Sequence, residues 1–208
     1  MKKALLTMYA FAITTMLISC SSSSGSKEPT SFNDVTIGKQ IWMVENLNVE
    51  HFRNGDIIPE AKTNEEWEIA GENKEPAWCY YNNDPTIGAK YGKLYNWYAV
   101  NDQRGLAPQG WHVPSKDEWF ILLEFIGGDE LLGLGAGVLD SSEVRFAEKL
   151  KSISNWAENG NGSNESGFNG SPAGVRLKDG DFVYLGQYVG WFSSTENNAF
   201  SAWGCSLR

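Results

Sequence analysis

The clearest helix in this chain runs from Ser115 to Ile126, and it confines the fold to a mixed class. Ser115-Lys116-Asp117-Glu118 has the Ser-x-x-Glu spacing of a capping box, in which hydroxyl and carboxylate each satisfy a backbone N–H left over at the helix start. Pro114 precedes it, Trp119, Leu122, Leu123 and Ile126 then share one face, and Gly127-Gly128 end it. Everything around this helix is short. Val35-Thr36-Ile37 and Gln40-Ile41-Trp42-Met43 read as two strands about the turn Gly38-Lys39. Asn64 to Ala70 reads as a short helix and Trp78 to Tyr81 as a strand. Asn82-Asn83-Asp84-Pro85 is a turn, and Leu94 to Val100 a short buried helix. A glycine-rich connection, Gly133 to Gly137, leads to a second helix over Ser142 to Ser152 and a long polar loop from Asn159 to Gly167. Short antiparallel strands follow near Phe168, Gly174 to Leu177, Asp181 to Leu185, Gly190 to Ser194 and Ala199 to Cys205. Helices in the middle and strands at both ends predict an α+β domain, not a βαβ alternation.

The first twenty residues, MKKALLTMYAFAITTMLISC, address location instead of fold. Two lysines, an uncharged apolar run from Ala4 to Ile18 and a small Ser19 are the parts of a secretory signal, too short to span a membrane as a helix. Leu17-Ile18-Ser19-Cys20 resembles the lipobox of bacterial lipoproteins, where cleavage leaves the cysteine as an acylated first residue. The expected organisation is a signal peptide over 1–19, a lipidated Ser-rich tether over 20–31, and a domain over 32–208. Ser21 after the anchor points to the outer membrane, facing the periplasm or the cell exterior. The domain has about 175 residues, enough for one well-packed core.

The net charge is −9, more negative still without Lys2 and Lys3, and this excludes a nucleic-acid partner, which demands a basic footprint. Nine tryptophans, eight tyrosines and ten phenylalanines beside 22 glycines predict a core built on large aromatics, with a sugar-stacking face as the alternative use. With Cys20 spent on lipid, Cys79 and Cys205 are left either bonded to each other or free and buried.

Four blocks carry a family likeness. They are Ile37 to Leu47 (IGKQIWMVENL), Tyr91 to Ala99 (YGKLYNWYA), Gly110 to Trp119 (GWHVPSKDEW) and Gly190 to Glu196 (GWFSSTE). In order and spacing they closely resemble the Fibrobacter succinogenes major paralogous domain, common in bacterial lipoproteins. That family is similar to the C-type-lectin-like fold and to formylglycine-generating and sulfatase-modifying domains. The resemblance implies two main helices, short antiparallel strands, long contact-making loops, and first and last strands paired with each other. The closing Gly-Phe-Ser-Val-Arg-Cys-like strand of the family has no counterpart after Leu207, so the resemblance implies a domain lacking its last strand.

Residue chemistry favours binding over catalysis. His51 and His112 stand far apart without a His-Glu-x-x-His pattern; His51 reads as solvated and His112 as packed into its turn. Gly-x-Ser-x-Gly is absent, and Cys205 has no neighbouring cysteine of the kind the oxidase-type relatives use. The oxygen-rich stretch Asn159 to Glu165 lacks the spacing of a calcium loop. No cofactor or metal is called for. The candidate contacts are Trp156, Asn159, Asn161, Asn164 and Glu165 in the loop, and Trp191, Glu196, Asn197 and Trp203 near the last strands. An aromatic face with flanking amides suits a sugar, so the expected role is glycan or surface-polymer recognition. An adhesion or assembly module and a carboxylate-based hydrolase are the alternatives.

Overall fold

The computed structural model describes residues 32–127, 147–198 and 201–208, with the side chains of 198 and 201 set aside. The signal peptide, Cys20, the tether, the Gly133 to Gly137 connection and the start of the expected second helix lie outside the described residues. Among those described, five helices and eight short strands make an α+β domain, its strands paired into four two-stranded antiparallel sheets.

Strands β1 (Asp34–Ile37) and β2 (Gln40–Met43) pair as expected, Ile37 opposite Gln40. Gly38 takes φ +60° in the turn, the conformation that costs glycine least. The turn sits against the main helix, α4 (Lys116–Gly127), where a Cβ on Gly38 would lie 3.0 Å from the Phe125 ring. Gln40 Nε2 donates to the Glu118 carbonyl at 3.0 Å. The capping box of α4 is formed: the Ser115 hydroxyl accepts the Glu118 N–H at 3.2 Å, and Glu118 Oε2 accepts the Ser115 N–H at 2.8 Å. Trp119, Leu122 and Leu123 are buried on the face that the periodicity marks.

Helix α1 (Asn64–Asn73) runs past the expected Ala70, carried by a capping box from Thr63 and Glu66 and stopped at Lys74, which turns left-handed at φ 60°. The next stretch departs from expectation. Strand β3 (Trp78–Cys79) ends early, Tyr81–Asn83 forms a 3-10 turn, and α2 (Pro85–Tyr91) follows. Asp84 caps α2 by accepting the Thr86 N–H, and Pro85 fills its first turn. The aromatic run expected as one helix divides into β4 (Leu94–Tyr95), which pairs with β3, and α3 (Trp97–Val100). Asn96 makes the break, its side chain accepting the Ala99 N–H at 2.9 Å.

Helix α5 (Ala147–Leu150) is the described part of the second helix. No strand forms at Phe168, whose ring enters the core instead. Strands β5 (Val175–Arg176) and β6 (Phe182–Val183) form one hairpin, and β7 (Val189–Asn198) with β8 (Ser201–Leu207) a longer one. The first and last strands pair with their chain neighbours and not with each other, contrary to what the resemblance implies.

Much of the aromatic load goes inside, while Phe125, Tyr184 and Phe192 stay exposed. Trp42, Trp119, Phe168 and Trp191 cluster with ring centroids 4.8 to 6.0 Å apart, tilted or edge-on as the ring quadrupole prefers. Leu122, Leu150, Val189 and Leu207 fill the same core. A second cluster gathers around Ile58 and Trp78, and a third around Trp67 and Cys79.

Candidate functional site

The nine candidate contacts divide by burial. Trp156 is 6% exposed, its indole N–H donates to the Gly170 carbonyl at 3.2 Å, and Lys151 Nζ covers its ring at 4.5 Å. No face is left for a sugar. Asn161 Oδ1 accepts the Trp156 N–H at 3.0 Å, and Asn164 Oδ1 accepts the Asn169 N–H at 2.8 Å, so both amides shape the loop itself. The loop is sewn to α5 by Ser163 N–H to the Glu148 carbonyl at 2.8 Å and Ser166 N–H to the Lys149 carbonyl at 3.1 Å. Asn159 and Glu165 remain exposed on it. Trp191 is half-buried against Trp119 and Phe168 and donates its indole N–H to Asn46 Oδ1 at 2.9 Å. Glu196 and Asn197 are exposed on β7. Trp203 lies beneath Lys116 Nζ, 4.0 Å from its ring centroid, and lines a small cleft beside α4. Cys20 lies outside the described residues.

His112 is not packed: its side chain is 70% exposed and Nε2 stands 2.8 Å from Glu118 Oε1. Cys79 and Cys205 are both buried and unbonded. Burial pushes the Cys79 thiol up to about 11 against the opposing pull of Arg176, and the Cys205 thiol up to about 12. Among the described residues no group of three or more His, Cys, Asp or Glu side chains converges as a metal would require. No described helix is long and apolar enough to cross a membrane.

A roomier concavity, of about 480 Å³, opens where α3 ends, between Tyr98, Asn101, Asp102, Gln103, Arg104 and Lys74. It is built from the backbone outward. Asn101 closes α3 through its N–H to the Trp97 carbonyl, and Asp102 turns the chain by accepting the Gly105 N–H on its carbonyl at 2.9 Å. The Asp102 carboxylate takes Arg104 Nε at 2.9 Å and Nη2 at 2.8 Å, the two-pronged pairing that fixes a guanidinium best. Arg104 Nη1 reaches Asp56 Oδ2 at 3.2 Å, and the guanidinium lies 4.1 Å over the buried Phe52 ring. Bonds from Asn54 and Arg104 hold the Asp56 carboxyl below its usual range, and Arg104 does the same for Asp102. The wall is thus polar, ionised and fixed in place, with the Tyr98 ring and the Asn101 and Gln103 amides beside it. The signal for it is the run Asn101-Asp102-Gln103-Arg104-Gly105 shortly after the aromatic Trp97-Tyr98, a run that the sequence reading does not single out.

No curated protein and no solved structure matches the chain. The model of the Fibrobacter succinogenes major domain matches residues 35–208, which takes in all four sequence blocks and both concavities. On that match the chain belongs to the Fibrobacter succinogenes major domain family.

Proposed function

We propose that the chain is an extracytoplasmic lipoprotein, held at the outer membrane by acyl chains on Cys20, whose C-type-lectin-like domain recognises glycan or a cell-surface polymer without catalysis. The observation that carries the recognition reading is the concavity at Tyr98 and Asn101 to Arg104. It is a shallow depression open to solvent, on which a sugar ring would lie against the surface without being enclosed. An aromatic ring offers the apolar face of a sugar its contact, while planar amides and a paired carboxylate and guanidinium meet vicinal hydroxyls as donors and acceptors. Fixing Arg104 between Asp102, Asp56 and Phe52 beforehand removes ordering cost from the binding step. The Ile18-Ser19-Cys20 motif supports the anchor, and the family match supports a shared scaffold carrying variable contacts.

A glycan array probed with the full chain, beside Tyr98→Ala and Asn101→Ala, tests the reading. Retention of a defined glycan by the parent chain, weakened about tenfold or more in either variant, supports it. Absence of glycan retention together with capture of a protein partner replaces it with the adhesion reading. For the anchor, mass spectrometry of the membrane fraction should find an acylated Cys20 amino terminus, and Cys20→Ala should release the protein.

A further inference from the structure

Several amides of this protein are spent on its own backbone. Asn46 donates to the Tyr91 carbonyl, Asn96 accepts the Ala99 N–H, Asn161 the Trp156 N–H and Asn164 the Asn169 N–H. The end of α3 is different. The Tyr98 hydroxyl and the Asn101 and Gln103 amides line the concavity and make no hydrogen bond with a described residue. The Trp97 indole N–H has no partner either, and unlike that of Trp119 it reaches water. Of the charges in the wall, Arg104 and Asp102 neutralise each other, which leaves Lys74 within a chain of net charge −9. That field repels an acidic polymer and leaves neutral sugars as the better match for the unspent hydroxyl and amides.

Beside the concavity lies an open aromatic ledge. Trp97 directly precedes Tyr98 in α3, and the Asn101 N–H donates to the Trp97 carbonyl at 2.9 Å, which sets Asn101 one helical turn from Trp97. The Trp97 ring meets the Phe192 ring of β7 with centroids 5.8 Å apart, tilted by 56°. Despite that contact Phe192 stays 42% exposed. The strand register explains why. Trp191 and Ser193 turn toward the core, so alternation sends Phe192 outward. Opposite it stands Gly204, and two residues back on the same face stands Gly190. Neither has a side chain to lay over the ring. Phe192 thus offers a flat apolar face, the surface that stacks against a sugar ring.

We infer that the glycan taken by this protein is neutral and at least two rings long, one ring lying over Tyr98, Asn101 and Gln103 and the next stacking on the Phe192 face beside Trp97. The assignment rests on the glycan reading proposed above and narrows it to a class of ligand. A shallow depression holds a single sugar weakly. A second contact on the same molecule is made without a further loss of translational freedom, so the ledge turns two weak contacts into a preference for an oligomer.

The test is binding of the full chain to an array of homo-oligosaccharides from one to six rings, in gluco, manno, xylo and N-acetylglucosaminyl series, with a uronic-acid series beside them. Expected is a neutral series whose two- or three-ring member binds at least about tenfold tighter than its single sugar. Phe192→Ser should erase that gain and leave the single sugar unchanged, while Tyr98→Ala should weaken every member. Phe192→Leu keeps an apolar contact for Trp97 but has no flat face, so it should erase the gain as well, with a thermal melt matching the parent chain. A retained series without length dependence, or a length dependence that survives Phe192→Leu, overturns the inference and leaves the glycan reading standing. Tighter retention of the uronic-acid series than of any neutral one also overturns it. Retention of no series removes the glycan reading and the inference together.

Discussion

Glu118 serves three partners with one carboxylate. Oε2 accepts the Ser115 N–H at 2.8 Å and the Ser115 hydroxyl at 3.0 Å, while Oε1 faces His112 Nε2 at 2.8 Å. Burial raises its pKa, but the Ser115 N–H, the His112 ring and the Ser115 hydroxyl together outweigh burial and hold it below the usual 4.5. A carboxyl lowered in the folded state binds its proton more readily when unfolded. Its contribution is therefore complete above the ordinary value and is lost as pH falls through the folded one. Glu118→Gln should flatten that part of the acid limb, seen as urea midpoints between pH 7 and pH 3 that converge with the parent chain at the acid end. Equal slopes in the two proteins would show that the carboxylate contributes nothing. Ser115→Ala removes the cap itself and should cost about 1 kcal/mol at neutral pH. His112→Ala, at a largely exposed pair, should cost well under about 1 kcal/mol.

At the scale of the element, the same substitution has opposite effects in two helices. Gly88 lies in α2, where a Cβ would sit 1.9 Å from Cδ1 of Tyr80. That ring cannot step aside, because Lys93 Nζ holds its hydroxyl at 3.1 Å and Trp78 meets it edge-on at 5.2 Å. Gly71, in α1, has open space where its Cβ would be. Helix propensity favours alanine by about 1 kcal/mol at both positions. Gly71→Ala should thus stabilise by up to about 1 kcal/mol, while Gly88→Ala should destabilise by about 2 kcal/mol as overpacking wins. Paired thermal melts decide it, and a gain at both sites would refute the contact with Tyr80. The contrast also marks the reach of the sequence. Ser115 and Glu118, or Gly38 between two apolar strands, are local signals whose partners lie within a few residues, and those elements were legible. Asp84-Pro85 reads as a turn although the same pair starts a helix, since the continuation rests on Tyr91 entering the core and Tyr80 packing on Gly88, neither of which is local to the pair. Trp156 beside a polar loop reads as exposed, and its burial follows from Asn161 and Ser163 folding that loop back onto α5, a long-range outcome with no local mark. The Tyr98 concavity escaped for the complementary reason: a site for hydroxyls is made of the same amides and charges as any wetted loop.

Across the whole molecule, the two thiols report whether the core melts as a unit. Cys79 belongs to the cluster around Trp67 and Ala77, Cys205 to the larger one around Trp119 and Trp42. The stretch from Ala173 to Leu185, which holds β5 and β6, feeds both: Ala173 enters the larger cluster and Leu185 packs against it, while Phe182 packs against the Cys79 cluster. On the Cys79 side Arg176 is buried, donates to the Gly180, Ala61 and Thr63 carbonyls at 2.9, 2.8 and 2.8 Å and lies against the Trp67 and Phe182 rings. A guanidinium so placed can leave its carbonyls only by exposing or orphaning all of them, which makes opening of the Cys79 cluster costly, and the shared Ala173 to Leu185 stretch links that cost to the larger cluster. Two-state unfolding is then expected. In the full chain carrying Cys20→Ser, both thiols should resist a disulfide reagent at neutral pH at least about a thousandfold more than free cysteine, because reaction awaits opening. In urea, Cys79 and Cys205 should become reactive at one midpoint, the same midpoint at which tryptophan fluorescence changes. Dithiothreitol should leave that midpoint where it is, since no disulfide joins the two. If Cys79 reacts at lower urea than Cys205, the Ala173 to Leu185 stretch does not couple the clusters and the Trp67 side opens alone; mass analysis of the labelled peptides tells the two cysteines apart.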